Sequence, residues 1–179
     1  MKLWDGGRFC LYLQTGYDGK KSGALLMEST ARFCAGAGLI PPEESALLRT
    51  ASGMPYFGST GAPHFSVSHS GQLWGAAFAK EQIGFDLECV KERAWESVAR
   101  RFFHPEERAY ALAHGGDAFF SVWTAKESYV KYLGVGIDDA FSEFSVVEKG
   151  AVSGAPLRVL FLRPPVPEGF SACVCMAEE

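Results

Sequence analysis

Two acidic side chains, Asp86 and Glu88, stand two residues apart in the short apolar run I-G-F-D-L-E at residues 83–88. The run predicts a β-strand, and side chains two apart on a strand leave the same face. Two carboxylates on one face repel each other, and a bound Mg²⁺ ion relieves that repulsion by taking oxygen ligands. The exposed polar face of an amphipathic strand would produce the same spacing, so the pair alone does not establish a metal site.

A second pair, Glu127 and Lys131, stands four residues apart in W-T-A-K-E-S-Y-V-K at residues 123–131. On a helix this spacing places both side chains on one face. Such a pair is usually a surface ion pair of little energy. The neighbouring Trp123 and Tyr129 indicate that this one is partly buried.

Two further groups could bind phosphate. His69, in H-F-S-V-S-H-S at residues 64–70, could act as a neutral donor or as a cation, although many histidines on strands are structural. Lys20 and Lys21 stand at the beginning of a predicted helix, where main-chain N–H groups also favour anions. A solvated basic turn is the more common reason for such a pair of lysines.

Composition narrows the class of protein. The chain has 179 residues, of which 47% are hydrophobic, and a formal net charge of −4, which disfavours a surface built to bind nucleic acid. Five cysteines without any C-x-x-C predict free thiols in a reducing compartment, with Cys173 and Cys175 buried on one face of a strand. Neither an apolar leader nor a membrane span is visible, so we expect a cytoplasmic protein that does not act at a membrane.

The order of apolar and turn residues predicts an α+β protein. Residues 73–79 and 83–88 should form a hairpin, and Asp117 should cap a long helix. The predicted strands are 8–14, 45–51, 64–68, 73–79, 83–88, 144–147, 157–162 and 170–176. The predicted helices are 20–36, 95–101, 105–113 and 118–133.

Five sequence blocks together resemble the Sfp-type 4'-phosphopantetheinyl transferase family. They are G-M-P-Y at 53–56, F-S-V-S-H-S at 65–70, G-F-D-L-E at 84–88, R-F-F at 101–103 and W-T-A-K-E-S at 123–128 with Lys131. Each block is weak alone, but G-x-D-x-E followed about forty residues later by W-x-x-K-E-S is a specific combination. The resemblance covers residues 53–147 and is looser before them.

The resemblance implies a fold and a reaction. The fold would be a pseudo-dimer of two similar α/β subdomains, residues 1–88 and 89–179, with coenzyme A in the cleft between them and no need for oligomerisation. The reaction would be Mg²⁺-dependent transfer of the 4'-phosphopantetheine arm of coenzyme A to a serine of an apo acyl or peptidyl carrier protein, releasing 3',5'-ADP.

The resemblance also implies roles for individual residues. Asp86, Glu88 and Glu127 would hold Mg²⁺, and Lys131 would reach the pyrophosphate. Glu127 is the candidate base for the serine hydroxyl.

The adenosine-side phosphates would meet a second group of residues. Ser68 and His69 match family positions that touch these phosphates, and His69 could also assist the transfer. Lys20 and Lys21 are assigned to the same phosphates by their position alone.

One departure from the family concerns Met54, which stands where the family usually has the lysine of G-K-P-Y. A methionine cannot donate a hydrogen bond to phosphate. Lys20, Lys21 or Arg49 could compensate, or the affinity for coenzyme A could be lower, or dephospho-coenzyme A could be tolerated.

Two other functions compete with transfer. A non-catalytic homologue that binds a carrier protein or coenzyme A would fit Met54. A metal-dependent nuclease would use a similar set of acids, but the helical spacing of Glu127 and Lys131 and the acidic net charge disfavour it. If the partner is an acidic carrier protein, we expect it to dock on Lys91, Arg93, Arg100 and Arg101.

Overall fold

The computed structural model describes residues 1–91, 95–135 and 139–178, and the described parts form eleven strands, four α-helices and two short 3₁₀-helices. The strands are β1 (Lys2–Asp5), β2 (Phe9–Thr15), β3 (Leu47–Arg49), β4 (Pro55–Phe57), β5 (His64–Ser70), β6 (Leu73–Ala79), β7 (Ile83–Cys89), β8 (Val147–Glu148), β9 (Ala151–Val152), β10 (Val159–Leu162) and β11 (Phe170–Ala177). The helices are α1 (Ser22–Ala37), α2 (Trp95–Phe102), α3 (Pro105–His114) and α4 (Gly116–Leu133), and the 3₁₀-helices are Glu44–Ala46 and Asp139–Ser142.

The first sheet is antiparallel in the order β1-β2-β6-β5. Helix α1 covers one of its faces, where Phe33 stacks on Phe78 with ring centroids 5.5 Å apart. The helix ends at Gly38, whose φ of 68° is the left-handed conformation that glycine adopts without strain.

The second sheet is antiparallel in the order β10-β11-β7, and α4 packs on it. Its other face meets the first sheet in a shared apolar core, to which Leu11 and Phe85 contribute fully buried side chains. The two sheets therefore form one structure with helices on its outer faces.

The predicted hairpin of β6 and β7 is wrong. Strand β6 is hydrogen-bonded on both sides, by β2 and by β5, so no edge remains for β7. The turn between these strands instead carries the chain from one sheet into the other, where β7 pairs with β11.

Serine side chains join the two sheets where β5 and β7 run side by side in the same direction. The Ser66 hydroxyl accepts the Phe85 N–H at 2.9 Å and donates to the Phe85 carbonyl oxygen at 3.3 Å. Ser70 Oγ accepts the Cys89 N–H at 3.0 Å. We call this row of contacts, formed by Ser66, Ser68 and Ser70 with β7, the serine seam.

The predicted mixture of helices and strands is confirmed, with local differences. Gly115 is the N-cap of α4 and Asp117 lies in the first turn, so the predicted Asp117 cap is wrong. Strand β4, which pairs with β3, lies outside the predicted strands. The predicted strand at 144–147 is a strand only at Val147. Cys173 and Cys175 are buried free thiols, as expected.

The predicted division after residue 88 falls inside β7, and the division and the pseudo-dimer stay predictions. Among the described residues, no helix has the length and apolar character needed to cross a membrane.

Helices α3 and α4 are held together by a buried ion pair between Glu107 and Lys126, both 0% exposed. Lys126 Nζ lies 2.9 Å from both carboxylate oxygens of Glu107 and donates to the Phe144 carbonyl oxygen at 2.6 Å. The same carboxylate accepts the N–H groups of Val146 at 2.7 Å and His104 at 2.9 Å. These contacts fix the position of α4 relative to the segment that contains Phe144 and Val146.

Strand β7 approaches α4 most closely at Gly84, and we predict that Gly84→Ala strongly destabilises the protein. A Cβ at this position would overlap the Ser128 carbonyl oxygen and crowd the Tyr132 nitrogen, both main-chain atoms that cannot rotate away. We expect a loss of about 3 kcal/mol in the free energy of unfolding, measured by urea denaturation.

The matched control for this prediction is Gly23→Ala in α1, where a Cβ meets no atom within 4 Å. That change should be neutral or slightly stabilising because alanine favours helix. Equal unfolding midpoints for the two variants would contradict the close approach.

Candidate functional site

The two acids of β7 lie beside the serine seam. Ser68 Oγ donates to Asp86 Oδ1 at 2.7 Å, and Ser70 Oγ donates to Glu88 Oε2 at 2.7 Å. Asp86 is only 3% exposed, because the strand that carries it lies between the seam, β11 and α4. The predicted placement of both acids on one side of the strand is therefore seen in the structure.

Lys131, in the last turn of α4, completes the cluster. Its ammonium group lies 2.7 Å from Asp86 Oδ1 and donates to Ser68 Oγ at 3.3 Å. The lysine side chain is 22% exposed, while that of Asp86 is 4% exposed. The ion pair thus connects the buried Asp86 carboxylate to the partly exposed Lys131 side chain, which a ligand can contact.

The second oxygen of Asp86 is left without a partner. Asp86 Oδ2 is buried and makes no hydrogen bond within the described residues. A buried carboxylate oxygen without a donor or a cation is energetically unfavourable.

Glu127 stands near this carboxylate with an altered acidity. Its burial raises the pKa to about 7, with further increases from the charges of Asp86 and Glu88 and an opposing decrease from Lys131. The carboxylates of Asp86 and Glu88 are therefore close enough to Glu127 to raise its pKa by electrostatic repulsion. A bound cation would lower the pKa of Glu127 by stabilising its ionised form.

Asp86, Glu88 and Glu127 all offer carboxylate oxygens, which are the ligands that a hard divalent cation prefers. One of these oxygens, Asp86 Oδ2, has no hydrogen-bond partner among the described residues. The described residues do not, however, include three or more His, Cys, Asp or Glu side chains already arranged around one point. The Lys131 ammonium occupies one side of the Asp86 carboxylate instead. Assembly of a metal site would therefore require side-chain movement.

A cleft opens next to Lys131. It consists of cavities of about 390 and 220 Å³, and Met54, Pro55 and Lys131 line both. Ser52 Oγ donates to the Gly134 carbonyl oxygen at 3.0 Å, which ties the β3–β4 hairpin to the end of α4. A ligand in this cleft would contact both apolar and polar side chains and the Lys131 ammonium group.

His69 lies outside the acidic cluster. It follows Ser68 on β5, so its side chain alternates to the other face of the strand, where its ring lies 5.2 Å from that of Tyr17. Lys20 and Lys21 are exposed at the beginning of α1, and Lys21 is the N-cap, with φ of 62° and no side-chain hydrogen bond to the helix. The structure thus brings Ser68, Asp86 and Lys131 together, while His69 faces the other side of β5.

Arg49 lies beside Met54. Its guanidinium donates to the Gly53 carbonyl oxygen at 2.7 Å, and Thr50 Oγ1 accepts the Met54 N–H at 3.1 Å. Arg49 is exposed, so a positive charge stands next to the methionine.

Residue-by-residue reasoning missed the roles of Ser66 and Ser70. A signal was present, because serine recurs at every second residue of 66–70 as the acids do in 86–88. The Glu107–Lys126 pair had no comparable signal, since 19 residues separate its members.

Sequence comparison relates this chain to a known family. The model of the 4'-phosphopantetheinyl transferase superfamily matches residues 82–170, which include Asp86, Glu88, Glu127 and Lys131. A Bacillus subtilis 4'-phosphopantetheinyl transferase is 35% identical over 98 residues, covering 52% of this chain and 43% of that protein. The 4'-phosphopantetheinyl transferase Sfp of Bacillus subtilis strain 168 is 38% identical over 87 residues, covering 46% and 38%.

A third relative extends the match. The 4'-phosphopantetheinyl transferase HetI of a Nostoc species is 33% identical over 129 residues, covering 62% of this chain and 54% of that protein. The chain thus matches about half, or less, of the length of these relatives. On the family model and these relatives together, the chain belongs to the 4'-phosphopantetheinyl transferase superfamily and is of the Sfp type.

Proposed function

We propose that this protein transfers the 4'-phosphopantetheine arm of coenzyme A to a serine hydroxyl of an apo acyl or peptidyl carrier protein, with Mg²⁺, and releases 3',5'-ADP. The observation that carries the proposal is the Ser68–Asp86–Lys131 cluster beside the cleft, with its orphaned buried Asp86 Oδ2. The family supports the reaction class.

Coenzyme A would bind with its pyrophosphate at Lys131, which can donate to phosphate oxygens from the end of the cleft. Lys20, Lys21 and His69 are proposed for the adenosine-side phosphates. The uncapped N–H groups at the beginning of α1 support this role, because they are donors that an anion can accept. Arg49 is our candidate for the positive charge that the family lysine would supply at the position of Met54.

Asp86, Glu88 and Glu127 would hold Mg²⁺, and the orphaned oxygen is the support for this in the structure. When bound, the ion would neutralise charge that develops on the pyrophosphate.

The transfer needs a proton acceptor and a stabilised leaving group. As the serine oxygen forms a bond to the phosphorus of the pantetheine phosphate, the bond from that phosphorus to the bridging oxygen of 3',5'-ADP breaks. Glu127, with a pKa of about 7, would take the serine proton directly or through a water. The Lys131 ammonium would stabilise the negative charge on the departing phosphate.

The remaining expectations for the whole protein stay proposals. We propose that residues 1–88 and 89–179 are two similar subdomains of a pseudo-dimer, and that the protein acts as a cytoplasmic monomer. A non-catalytic homologue that binds a carrier protein or coenzyme A is the second candidate, and the observation in its favour is Met54 at the wall of the cleft.

Intact-protein mass spectrometry of an apo carrier protein incubated with this chain, coenzyme A and Mg²⁺ tests the transfer. We expect the carrier to gain one phosphopantetheine, about 340 Da, and EDTA to prevent the gain. Asp86→Asn should lower the rate at least about a hundredfold, because it removes the charge that pairs with Lys131 while keeping the side-chain shape.

The matched control is Asp117→Asn, an exposed acid in the first turn of α4. Its rate should equal that of the parent chain. Carrier binding without any mass gain would favour the non-catalytic homologue, and an unchanged rate in Asp86→Asn would remove Asp86 from the mechanism.

The raised pKa of Glu127 predicts how stability depends on pH in the metal-free protein. The folded state favours the protonated carboxyl, so stability should fall as pH rises from about 4.5 to about 7. Glu127→Gln mimics the protonated form and should therefore be more stable above pH 7, by up to about 3 kcal/mol, in denaturant titrations with EDTA.

Mg²⁺ should reduce this difference between the parent chain and Glu127→Gln, because a cation stabilises the ionised carboxyl. A parent chain and variant whose stabilities stay parallel from pH 5 to pH 8 in EDTA would contradict the raised pKa.

Carrier docking is predicted on the basic end of α2. Arg100 and Arg101 are exposed there, with the Arg101 guanidinium 5.0 Å above the Phe102 ring, and Lys91 is exposed nearby in sequence. Arg93 lies outside the described residues. Reversing both charges with R100E and R101E should raise KM for an acidic carrier about tenfold in low salt, with little effect on kcat.

The double variant K149E and R158E changes the net charge equally at two other exposed residues. Its KM should stay close to that of the parent chain. The same KM increase in both double variants would indicate long-range charge and not a docking surface.

A further inference from the structure

A separate cavity of about 570 Å³ lies on the face of the first sheet that α1 covers. Strands β1 and β2 supply its floor, with Leu3 and Tyr12 among the lining residues, and the last turns of α1 supply its wall, with Arg32, Phe33 and Gly36. It shares no lining residue with the two cavities beside Lys131. The proposed transfer reaction does not use it.

Tyr12 contributes a hydroxyl group to the lining of this cavity. The residue is 4% exposed and its ring meets Phe78 edge-on, with centroids 5.7 Å apart. Its hydroxyl makes no hydrogen bond to any described residue. Burial raises the pKa of this phenol, so it stays protonated and remains a donor. The hydroxyl is not one of the fully buried side-chain atoms that lack a partner, so it is open to the cavity and can donate a hydrogen bond to a ligand there.

The charges around the cavity favour an acceptor that is an anion. Arg8 pairs with Glu81 at 2.7 Å, and Asp5 Oδ1 accepts the Gly7 N–H at 2.8 Å, so the two acids of the lining are engaged locally. Lys80 makes no ion pair within the described residues.

Arg32 supplies the second cation. Among the described residues, its ion-pair partner is the exposed Glu28 of its own helix, at 2.8 Å. Exposed pairs of this kind contribute little energy, so the guanidinium can turn to a ligand at small cost.

We propose that this cavity binds a small organic carboxylate with an aromatic or branched aliphatic body. The carboxylate of the ligand accepts hydrogen bonds from the Tyr12 hydroxyl and from the Arg32 guanidinium. The planar guanidinium matches the geometry of a planar carboxylate. The body lies against Phe33 and Leu3, which are apolar residues of the cavity lining.

Titration of the ¹⁵N-labelled chain with phenylacetate, benzoate and 4-methylpentanoate, followed by NMR, tests this. We expect saturable shifts of the amide resonances of Cys10 and Gly36, which line the cavity. Phenethylamine and 2-phenylethanol have the aromatic body of phenylacetate without its negative charge. They should shift these resonances much less. No saturable shift with any of the three carboxylates, or equal shifts with 2-phenylethanol, would overturn the proposal.

Three variants locate the binding. Tyr12→Phe keeps the ring contact and removes the donor, and Arg32→Gln removes the cation; each should weaken phenylacetate binding about fivefold or more. Gly36→Leu should abolish binding, because a Cβ on Gly36 meets no atom within 4 Å and the added side chain can occupy the cavity.

Gly23→Leu is the matched control for the last variant, since Gly23 lies on the same helix, is equally open and is outside the cavity. It should bind as the parent chain does. Parent-like binding by Gly36→Leu or by Tyr12→Phe would place the ligand elsewhere and refute the site.

Discussion

The close approach of strand β7 to helix α4 is the constraint on which the site depends. Gly84 has no side chain, so the helix backbone at Ser128 can lie directly against the strand. Only at that separation does Lys131 reach Asp86 at 2.7 Å. A larger residue at 84 would push the helix outward and lengthen the contact between Lys131 and Asp86.

The buried Glu107–Lys126 pair supports this arrangement from the opposite face of α4. Desolvation raises the pKa of Glu107 and lowers that of Lys126, while their mutual attraction opposes both changes. Such a pair adds little net stability, but losing one partner would leave an uncompensated charge. Because Lys126 immediately precedes Glu127, a helix held by the pair has its acid and Lys131 turned toward β7.

The site has a surplus of negative charge, and this surplus favours the binding of a cation. Lys131 neutralises one oxygen of Asp86, the serine seam donates to the acids, and one buried oxygen has no partner in the part of the chain that the structure describes. The raised pKa of Glu127 has the same origin, since burial and neighbouring carboxylates disfavour its ionised form. A site with this surplus of negative charge favours a cation, and the adjacent ammonium favours a phosphate.

Local periodicity in the sequence determined much of this protein: that Asp86 and Glu88 share a side of β7, that Glu127 and Lys131 share a face of α4, and the order of most strands and helices. These features depend on residues two to four apart, which strand and helix geometry places together directly. Tertiary structure alone decided that β7 joins β11, because β6 had both edges occupied. It also decided the Glu107–Lys126 pair and the cavity that Tyr12 and Arg32 line, because each depends on how distant segments pack and on where that packing leaves a gap.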